Sequence, residues 1–309
     1  MNAQDMASVY RESRYSRSVS PKTRKVPLTL SREHHAPYDS DDDESSSMVP
    51  TVSPYRPFPS SMNVFCSWMA TKTLHVCGAG RDERLYVVDV HTGYSGRKPL
   101  GTRPGLVLRN GTGAKDPVLA AVCDESQLAA RFYAFNLNSV VLLPPLSSSK
   151  GAAADPKDLV AETMRARTLD NGGFAFRFSV EVGRGGEKLQ RAQFEWRSMK
   201  KGENDEAREG GFKLVQVPPE RREGRPGGSS SSQATMDDDS EVLALLSWTK
   251  TWWLTRPFAL QLKGSGQSGS LGERWTLAVV ITALRIWVLR LNFRSNRGVI
   301  SLAETIRGK

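Results

Sequence analysis

The feature that most constrains the fold is an apolar stretch near the C-terminus, RWTLAVVITALRIWVLR, which runs from Arg274 to Arg290. It is the longest apolar run of the chain, yet it contains Arg285 in its interior. Eighteen residues of α-helix reach about 27 Å, which is short for the ~30 Å hydrocarbon core of a bilayer. An interior arginine also costs roughly 2.5–3.5 kcal/mol on insertion. The stretch therefore indicates a helix buried in a folded domain rather than a membrane span.

The polar residues of this stretch share one narrow stripe. At about 100° per residue, Arg274, Arg285 and Asn292 fall within about 20° of one another, and Thr282 lies beside them. The rest of the circumference is apolar, as expected for a helix surrounded by protein. We therefore predict a core helix over Trp275–Leu291, packed against or through a sheet. An interfacial membrane helix is the alternative.

The middle of the chain has the pattern of an antiparallel sheet. In FAFRFSVEV (Phe174–Val182), Phe and Val alternate with mostly polar residues, which predicts a strand with one buried face. Similar short runs between Gly, Pro and Asn predict further strands, and their number is typical of a sandwich or a barrel. A helical turn or short helix is expected at Asp158–Ala166. The predicted strands are Leu85–Val90, Gly105–Leu108, Val118–Cys123, Phe132–Leu143, Phe174–Val182, Ala192–Arg197, Phe212–Val217, Val242–Trp248 and Phe258–Leu262.

Two segments have compositions that do not support a packed core. Residues 1–60 are rich in Ser, Pro, Arg and Asp and lack a repeating apolar face, which predicts a disordered N-terminal arm. Residues 220–240 are charged and rich in Gly and Ser, which predicts a disordered insertion. The barrel or sandwich is therefore assigned to residues 61–293, and residues 294–309 form a basic C-terminal tail.

The formal net charge is +10, and its distribution matters more than its size. Residues 1–60 contain eight Lys and Arg against eight Asp and Glu, whereas residues 285–309 contain six against one. Basic residues beside an apolar helix fit an anionic partner, either a lipid headgroup or a nucleic-acid backbone. An ordinary solvated loop or tail is the alternative. The candidate ligand-binding residues lie in a Gly- and Pro-rich loop (Arg97, Lys98, Arg103) and beyond the helix (Arg290, Arg294, Arg297).

No residue pattern in the sequence is diagnostic of a catalysed reaction. Cys66, Cys77 and Cys123 are odd in number and widely spaced, which argues against a disulfide framework and against a zinc site. The segment Gly264–Gly269 matches G-x-G-x-x-G, but no second strand of a βαβ unit follows it, so we interpret it as a hairpin-like linker. We predict a protein that is not an enzyme and has no cofactor and no metal. The N-terminus lacks the apolar segment of a secretory signal, so a cytoplasmic location is expected, with a nuclear one as alternative.

Many antiparallel strands followed by one hydrophobic C-terminal helix resemble the tubby-like fold. The superfamily comprises tubby C-terminal domains, phospholipid scramblases and LURP-one-related proteins, and the resemblance is to an uncharacterised fungal branch of it. It covers roughly residues 74–292 and implies a closed antiparallel β-barrel around a central helix. Tubby domains bind phosphoinositides and are linked to transcription; no headgroup residue is carried over. The matching stretches are Leu85–Gly111, Ala134–Leu146, Phe176–Arg197 and Leu271–Arg290.

The expected fold is thus mainly β with one buried C-terminal helix (α+β). The expected function is non-enzymatic binding of anionic, phosphoinositide-like membrane lipid through basic loops, which makes the protein peripheral at membranes without a transmembrane span. That function predicts clustered cations next to exposed aromatic residues. Trp252 and Trp253 are candidates for these aromatic residues, and packing in the core is the alternative for them. A protein-interaction scaffold, predicting an exposed apolar patch, and a nucleic-acid-associated protein, predicting a groove with stacking rings, are the alternatives.

Overall fold

The structure is a computed structural model that describes residues 56–66, 73–125, 137–146, 158–169, 173–183, 189–218, 240–249 and 256–307, with side chains as far as Leu291. The predicted arm (1–60) and the predicted insertion (220–240) therefore lie almost entirely outside the described residues. The same holds for Trp252 and Trp253.

Within the described residues, twelve strands form one closed antiparallel barrel, which confirms the mainly β prediction. Each strand pairs with its neighbours in sequence, and β1 closes the barrel against β12, with Val64 opposite Phe258. A 3-10 turn occupies Asp205–Ala207, and the helices are α1 (Gly264–Gln267) and α2 (Glu273–Arg307). The strands are β1 Ser61–Cys66, β2 Thr73–Cys77, β3 Arg84–His91, β4 Gly105–Arg109, β5 Val118–Asp124, β6 Ser139–Leu143, β7 Val160–Thr168, β8 Phe174–Val182, β9 Gln190–Met199, β10 Gly211–Val217, β11 Val242–Trp248 and β12 Phe258–Leu262.

In this topology, successive connections between strands lie alternately at the two ends of the barrel. Because every neighbouring pair is antiparallel, all odd-numbered strands run in one direction. The connections that follow odd-numbered strands therefore share one end, which we term the upper end. Those that follow even-numbered strands share the lower end. The β3–β4 loop (92–104) and the β9–β10 loop (200–210) thus lie at the upper end, and the β2–β3 and β4–β5 loops lie at the lower end.

The predicted core helix is confirmed as a buried element. Every side chain from Leu277 to Trp287 is at most 5% exposed, and the same hydrophobic cluster includes inward-facing strand residues. The ring of Trp275 meets that of Phe194 edge-on at 5.9 Å between centroids. Helix α2 contacts β4, β5, β6, β8 and β12. It continues to Arg307, well beyond the predicted end at Leu291.

Two arginines of the polar stripe of α2 are paired with carboxylates of the strands. Arg285 is 1% exposed; it forms an ion pair with Asp124, and its Nε donates to Ser139 Oγ at 2.8 Å. Nearer the start of the helix, Arg274 Nε lies 3.1 Å from Glu181 Oε2. An arginine inside the apolar stretch is therefore compatible with burial, because its charge is paired there rather than left in apolar surroundings.

Three sequence predictions of local structure were wrong. Asp158–Ala166 was predicted as helical, but from Val160 onwards it belongs to strand β7, which is paired with β6 and β8. Strands β1 and β2 were not predicted. The segment Gly264–Gly269 begins with the one-turn helix α1 instead of forming a hairpin-like linker, and Glu241 Oε1 accepts from the Ser265 N–H at 2.6 Å.

Candidate functional site

Several side chains of the β3–β4 loop are exposed to solvent at the upper end, among them one aromatic residue and two cations. Tyr94 is 96% exposed, and Arg97 and Lys98 are both exposed. The ring of His91 fixes the start of the loop, since its Nδ1 accepts from the Gly93 N–H at 3.1 Å and its Nε2 lies 2.9 Å from Ser95 Oγ. The loop is therefore held at its base while its tip faces water.

Glycine at position 93 is required by this turn. Its φ is +85°, and a Cβ at this position would lie 2.6 Å from the backbone oxygen of Thr102. The two arms of the loop approach each other closely here, which an L side chain would prevent. This close approach gives the loop its narrow base.

The third predicted cation of this loop has different surroundings. Arg103 is half-buried, and its charge and hydrogen bonding oppose the effect of burial on the Cys123 thiol. Burial is the larger influence, so the pKa of Cys123 is raised above its ordinary value. The structure thus places Arg97 and Lys98 at the exposed surface and Arg103 beside a buried thiol.

Of the three cations predicted beyond the apolar stretch, one has a described side chain. Arg290 is half-buried on α2, and its guanidinium carbon lies 4.0 Å from the ring centroid of Trp248, a cation–π contact. Arg294 and Arg297 belong to the same helix, but their side chains lie outside the described residues. Arg290 is therefore part of an aromatic environment at the upper end.

A cavity of about 290 Å³ lies beside Arg290, between α2 and strands β8 to β11. Its wall is aromatic: the Phe212 ring lies 5.8 Å from Phe176 and 6.2 Å from Trp248, between centroids. Ile286 and Leu289 line it from the helix. The cavity was not predicted, because residues from four strands and a helix form it.

The cavity reaches the surface and has charged groups at its mouth. Phe174, another lining residue, is 39% exposed. Lys201 and Glu209 also line the cavity, and their side chains form an ion pair at 3.0 Å. An apolar interior with a few polar groups at one side is the usual composition of a small-molecule site.

A second cluster of cations, on the outer face of β7 to β9, was also not singled out from the sequence. Arg167, Arg177 and Arg197 surround the carboxylate of Glu195 at 3.4, 3.1 and 2.9 Å, and the Glu195 side chain is only 1% exposed. The alternation in FAFRFSVEV does place Arg177 on the polar face. Because these guanidinium groups hold a buried carboxylate, we interpret the cluster as a cross-strand support of the sheet.

Two further observations concern metal ions and membranes. In the part of the chain that the structure describes, no three His, Cys, Asp or Glu side chains are grouped so as to hold a metal ion. Over the same residues, no helix combines the length and the apolarity needed to cross a bilayer.

Comparison with known proteins identifies no relative of this chain. The chain matches no protein-family model, no curated protein and no solved structure at a significant level.

Proposed function

We propose that this protein is a non-enzymatic module that binds anionic membrane lipid, such as a phosphoinositide, through the β3–β4 loop. The observation that carries the proposal is an almost fully exposed aromatic side chain, Tyr94, beside two exposed cations, Arg97 and Lys98. A tyrosine ring suits a membrane interface because its body is apolar and its tip is polar. Each cation near an anionic membrane surface contributes about 1 kcal/mol to binding.

The availability of these cations supports the proposal. Within the described residues, neither Arg97 nor Lys98 takes part in an ion pair. Arg167 on the outer sheet face differs, because it is paired with the buried Glu195 carboxylate. A headgroup phosphate that meets the loop does not have to displace an existing carboxylate partner from Arg97 or Lys98.

We also propose that the barrel is of the tubby-like type, with the buried part of α2 passing through its centre. Two observations support this placement. Side chains are buried around the whole circumference of the helix from Leu277 to Trp287. The strands that α2 contacts, β4 to β6, β8 and β12, belong to separate sectors of the closed barrel. With the helix in the barrel, the loops at the barrel ends are the natural binding surfaces, which we place at the cytoplasmic face of a membrane.

The test is co-sedimentation of the full chain with vesicles of phosphatidylcholine, alone or mixed with phosphatidylserine or a phosphoinositide. We expect binding only to the anionic vesicles, and weaker binding as salt is added. Loss of two contributions of about 1 kcal/mol each predicts that Arg97→Ala with Lys98→Ala weakens binding about thirtyfold. The matched control is Arg81→Ala with Lys115→Ala, which removes two exposed cations from the lower end.

Two results would contradict the proposal. The first is an absence of sedimentation with every vesicle. The second is an equal loss in the loop and control variants, which indicates attraction by net charge without a defined site. Tyr94→Ser separates the aromatic contribution, because it leaves both cations in place. Either contradicting result would favour a scaffold or a nucleic-acid partner, which pull-down and salt-dependent nucleic-acid binding distinguish.

A further inference from the structure

The cavity beside α2 has aromatic rings on one side and aliphatic side chains on the other. Strands β8, β10 and β11 contribute the rings of Phe176, Phe212 and Trp248. The helix contributes Ile286 and Leu289. The Phe212 ring is inclined by 50° to that of Phe176 and by 87° to that of Trp248. Because aromatic pairs favour tilted and edge-to-face arrangements, a further flat ring placed against this wall finds favourable partners.

The volume of the cavity fits two fused rings. An apolar cavity of about 150 Å³ is large enough to bind one benzene molecule. The volume here is about 290 Å³, roughly twice as large. The cavity also reaches the surface beside Phe174, which is 39% exposed. A small ligand can therefore enter without opening of the barrel.

The charged and polar side chains that line the cavity are engaged with other parts of the protein. Lys201 Nζ lies 3.0 Å from Glu209 Oε2. The guanidinium of Arg290 stacks at 4.0 Å over the ring of Trp248. The Ser198 hydroxyl oxygen accepts a backbone N–H at 3.0 Å. A charged ligand would therefore lose its hydration without gaining a dedicated partner, whereas a neutral apolar ligand has no such cost.

We propose that this cavity binds a neutral molecule with two fused aromatic rings, held between the aromatic wall and α2. The site differs from the β3–β4 loop in its place and in its ligand class, since it takes a free small molecule rather than a membrane surface. It is tested with dissolved ligands and without vesicles. Its failure is therefore distinguishable from a failure of lipid binding.

The number of rings provides the first test. Isothermal titration calorimetry of the full chain measures the affinities for pyridine, quinoline and acridine at mildly alkaline pH, where all three are neutral. Quinoline should bind at least about tenfold more tightly than pyridine, because its second ring buries further carbon atoms. Acridine should gain less than about threefold over quinoline, since its third ring projects from the mouth into water. No measurable binding of quinoline, or an equally large gain for the third ring, overturns the proposal.

Ligand charge provides the second test. The same calorimetry compares 2-naphthol with 2-naphthoate and with 2-naphthylmethylammonium, which carry one ring system and differ in charge. We expect 2-naphthol to bind at least about tenfold more tightly than either ion, because the cavity offers neither ion a dedicated partner. Equal or tighter binding of either ion overturns the assignment of a neutral ligand.

Isoleucine methyl groups report where the ligand binds. All four isoleucines of the chain belong to α2 (Ile281, Ile286, Ile300 and Ile306). Ile286 lines the cavity, whereas Ile281, buried on the same helix, does not. In NMR spectra of the full chain labelled at the isoleucine δ1 methyl groups, the ring current of bound quinoline should shift the Ile286 signal and leave that of Ile281 nearly unchanged. Ile286→Val and Ile281→Val assign the two signals, and shifts of equal size overturn the placement.

A cavity-filling variant provides the last test. Leu289→Trp enlarges a lining side chain, so the folded variant should bind quinoline at least about tenfold more weakly. Val288→Trp is the matched control on the same helix, because Val288 is not among the residues that line the cavity, and it should retain binding. Equal affinities in the two folded variants contradict the assignment of the cavity. If overpacking prevents folding, the methyl shifts of the wild-type chain decide the question.

Discussion

The guanidinium of Arg285, on α2, is paired with the carboxylate of Asp124, at the end of β5. The Arg285 side chain is 2% exposed and that of Asp124 is 19% exposed. Ser139, at the start of β6, accepts a further hydrogen bond from the same guanidinium. The pair and this hydrogen bond link the buried helix to two strands at the upper end. Removing Asp124 would leave the buried guanidinium charge without its partner, which is strongly destabilising.

We therefore expect Asp124→Asn to lower the free energy of unfolding by about 3 kcal/mol. The double variant Arg285→Met with Asp124→Leu removes both charges and should be closer to wild type than the single variant. Urea unfolding followed by circular dichroism measures all three proteins. A double variant that is as unstable as Asp124→Asn would show that the pair does not act as a unit.

A neutral hydrogen bond ties the middle of the same helix to β9. Trp196 Nε1 donates to Thr282 Oγ1 at 3.0 Å, and both residues are fully buried. Thr282→Val preserves shape but leaves the indole N–H unsatisfied, which should cost about 2 kcal/mol of stability. Thr276→Val is the matched control, since the Thr276 hydroxyl bonds only to the nearby Gly272 O, just before the helix, and its loss should cost about 0.5 kcal/mol or less. Equal costs in the two urea unfolding curves would contradict the role of this bond.

The predicted strands have a clear apolar alternation, as in β8, or a continuous apolar run, as in β5. Strand β8 has Phe and Val on one face, so its period is visible in the sequence. In β7 a buried position holds a charged residue, Glu162, and Arg191 of β9 donates to it at 3.0 Å. In β1 the consecutive residues Met62, Asn63 and Val64 are all buried, so no alternation appears. Charges and amides that are satisfied by distant residues conceal a strand from local pattern analysis.

The same reasoning applies to the sites. The exposed cations Arg97 and Lys98 could be proposed from the Gly- and Pro-rich composition of their loop. The cavity could not, because it joins Phe174, Trp248 and Leu289, which meet only when the barrel closes and α2 packs. Local composition thus identifies a surface loop, whereas the cavity depends on contacts between residues distant in sequence.

The backbones of β10 and β11 are so close at Gly211 that there is no space for a side chain. A Cβ at this position would lie 1.9 Å from the backbone oxygen of Leu246. Gly211→Ala must therefore push the two strands apart, and we expect a cost of about 1–3 kcal/mol, which lowers the melting temperature by about 2–10 °C. Gly80→Ala is the control, because a Cβ there meets nothing within 4 Å. Calorimetric melting of both variants checks the prediction, and equal melting temperatures would show that the strands separate at little cost.

His75, on β2, makes stability depend on pH. Burial lowers its pKa below the ordinary value, and the charges of Arg84 and Arg81 lower it further. Its Nδ1 is buried and has no hydrogen-bond partner among the described residues. The unfolded chain then binds a proton more readily than the folded chain. Stability should therefore be complete above the unfolded pKa of about 6.5 and should be lost as pH falls towards the lower folded pKa.

Urea unfolding between about pH 5 and about pH 8 measures this dependence. His75→Gln should flatten the curve in that range, because it removes the proton that the unfolded state binds preferentially. Arg84→Gln should make the slope shallower without abolishing it, since burial, the larger cause of the lowered pKa, is retained. An unchanged slope in His75→Gln would assign the pH dependence to another group and contradict this account of β2.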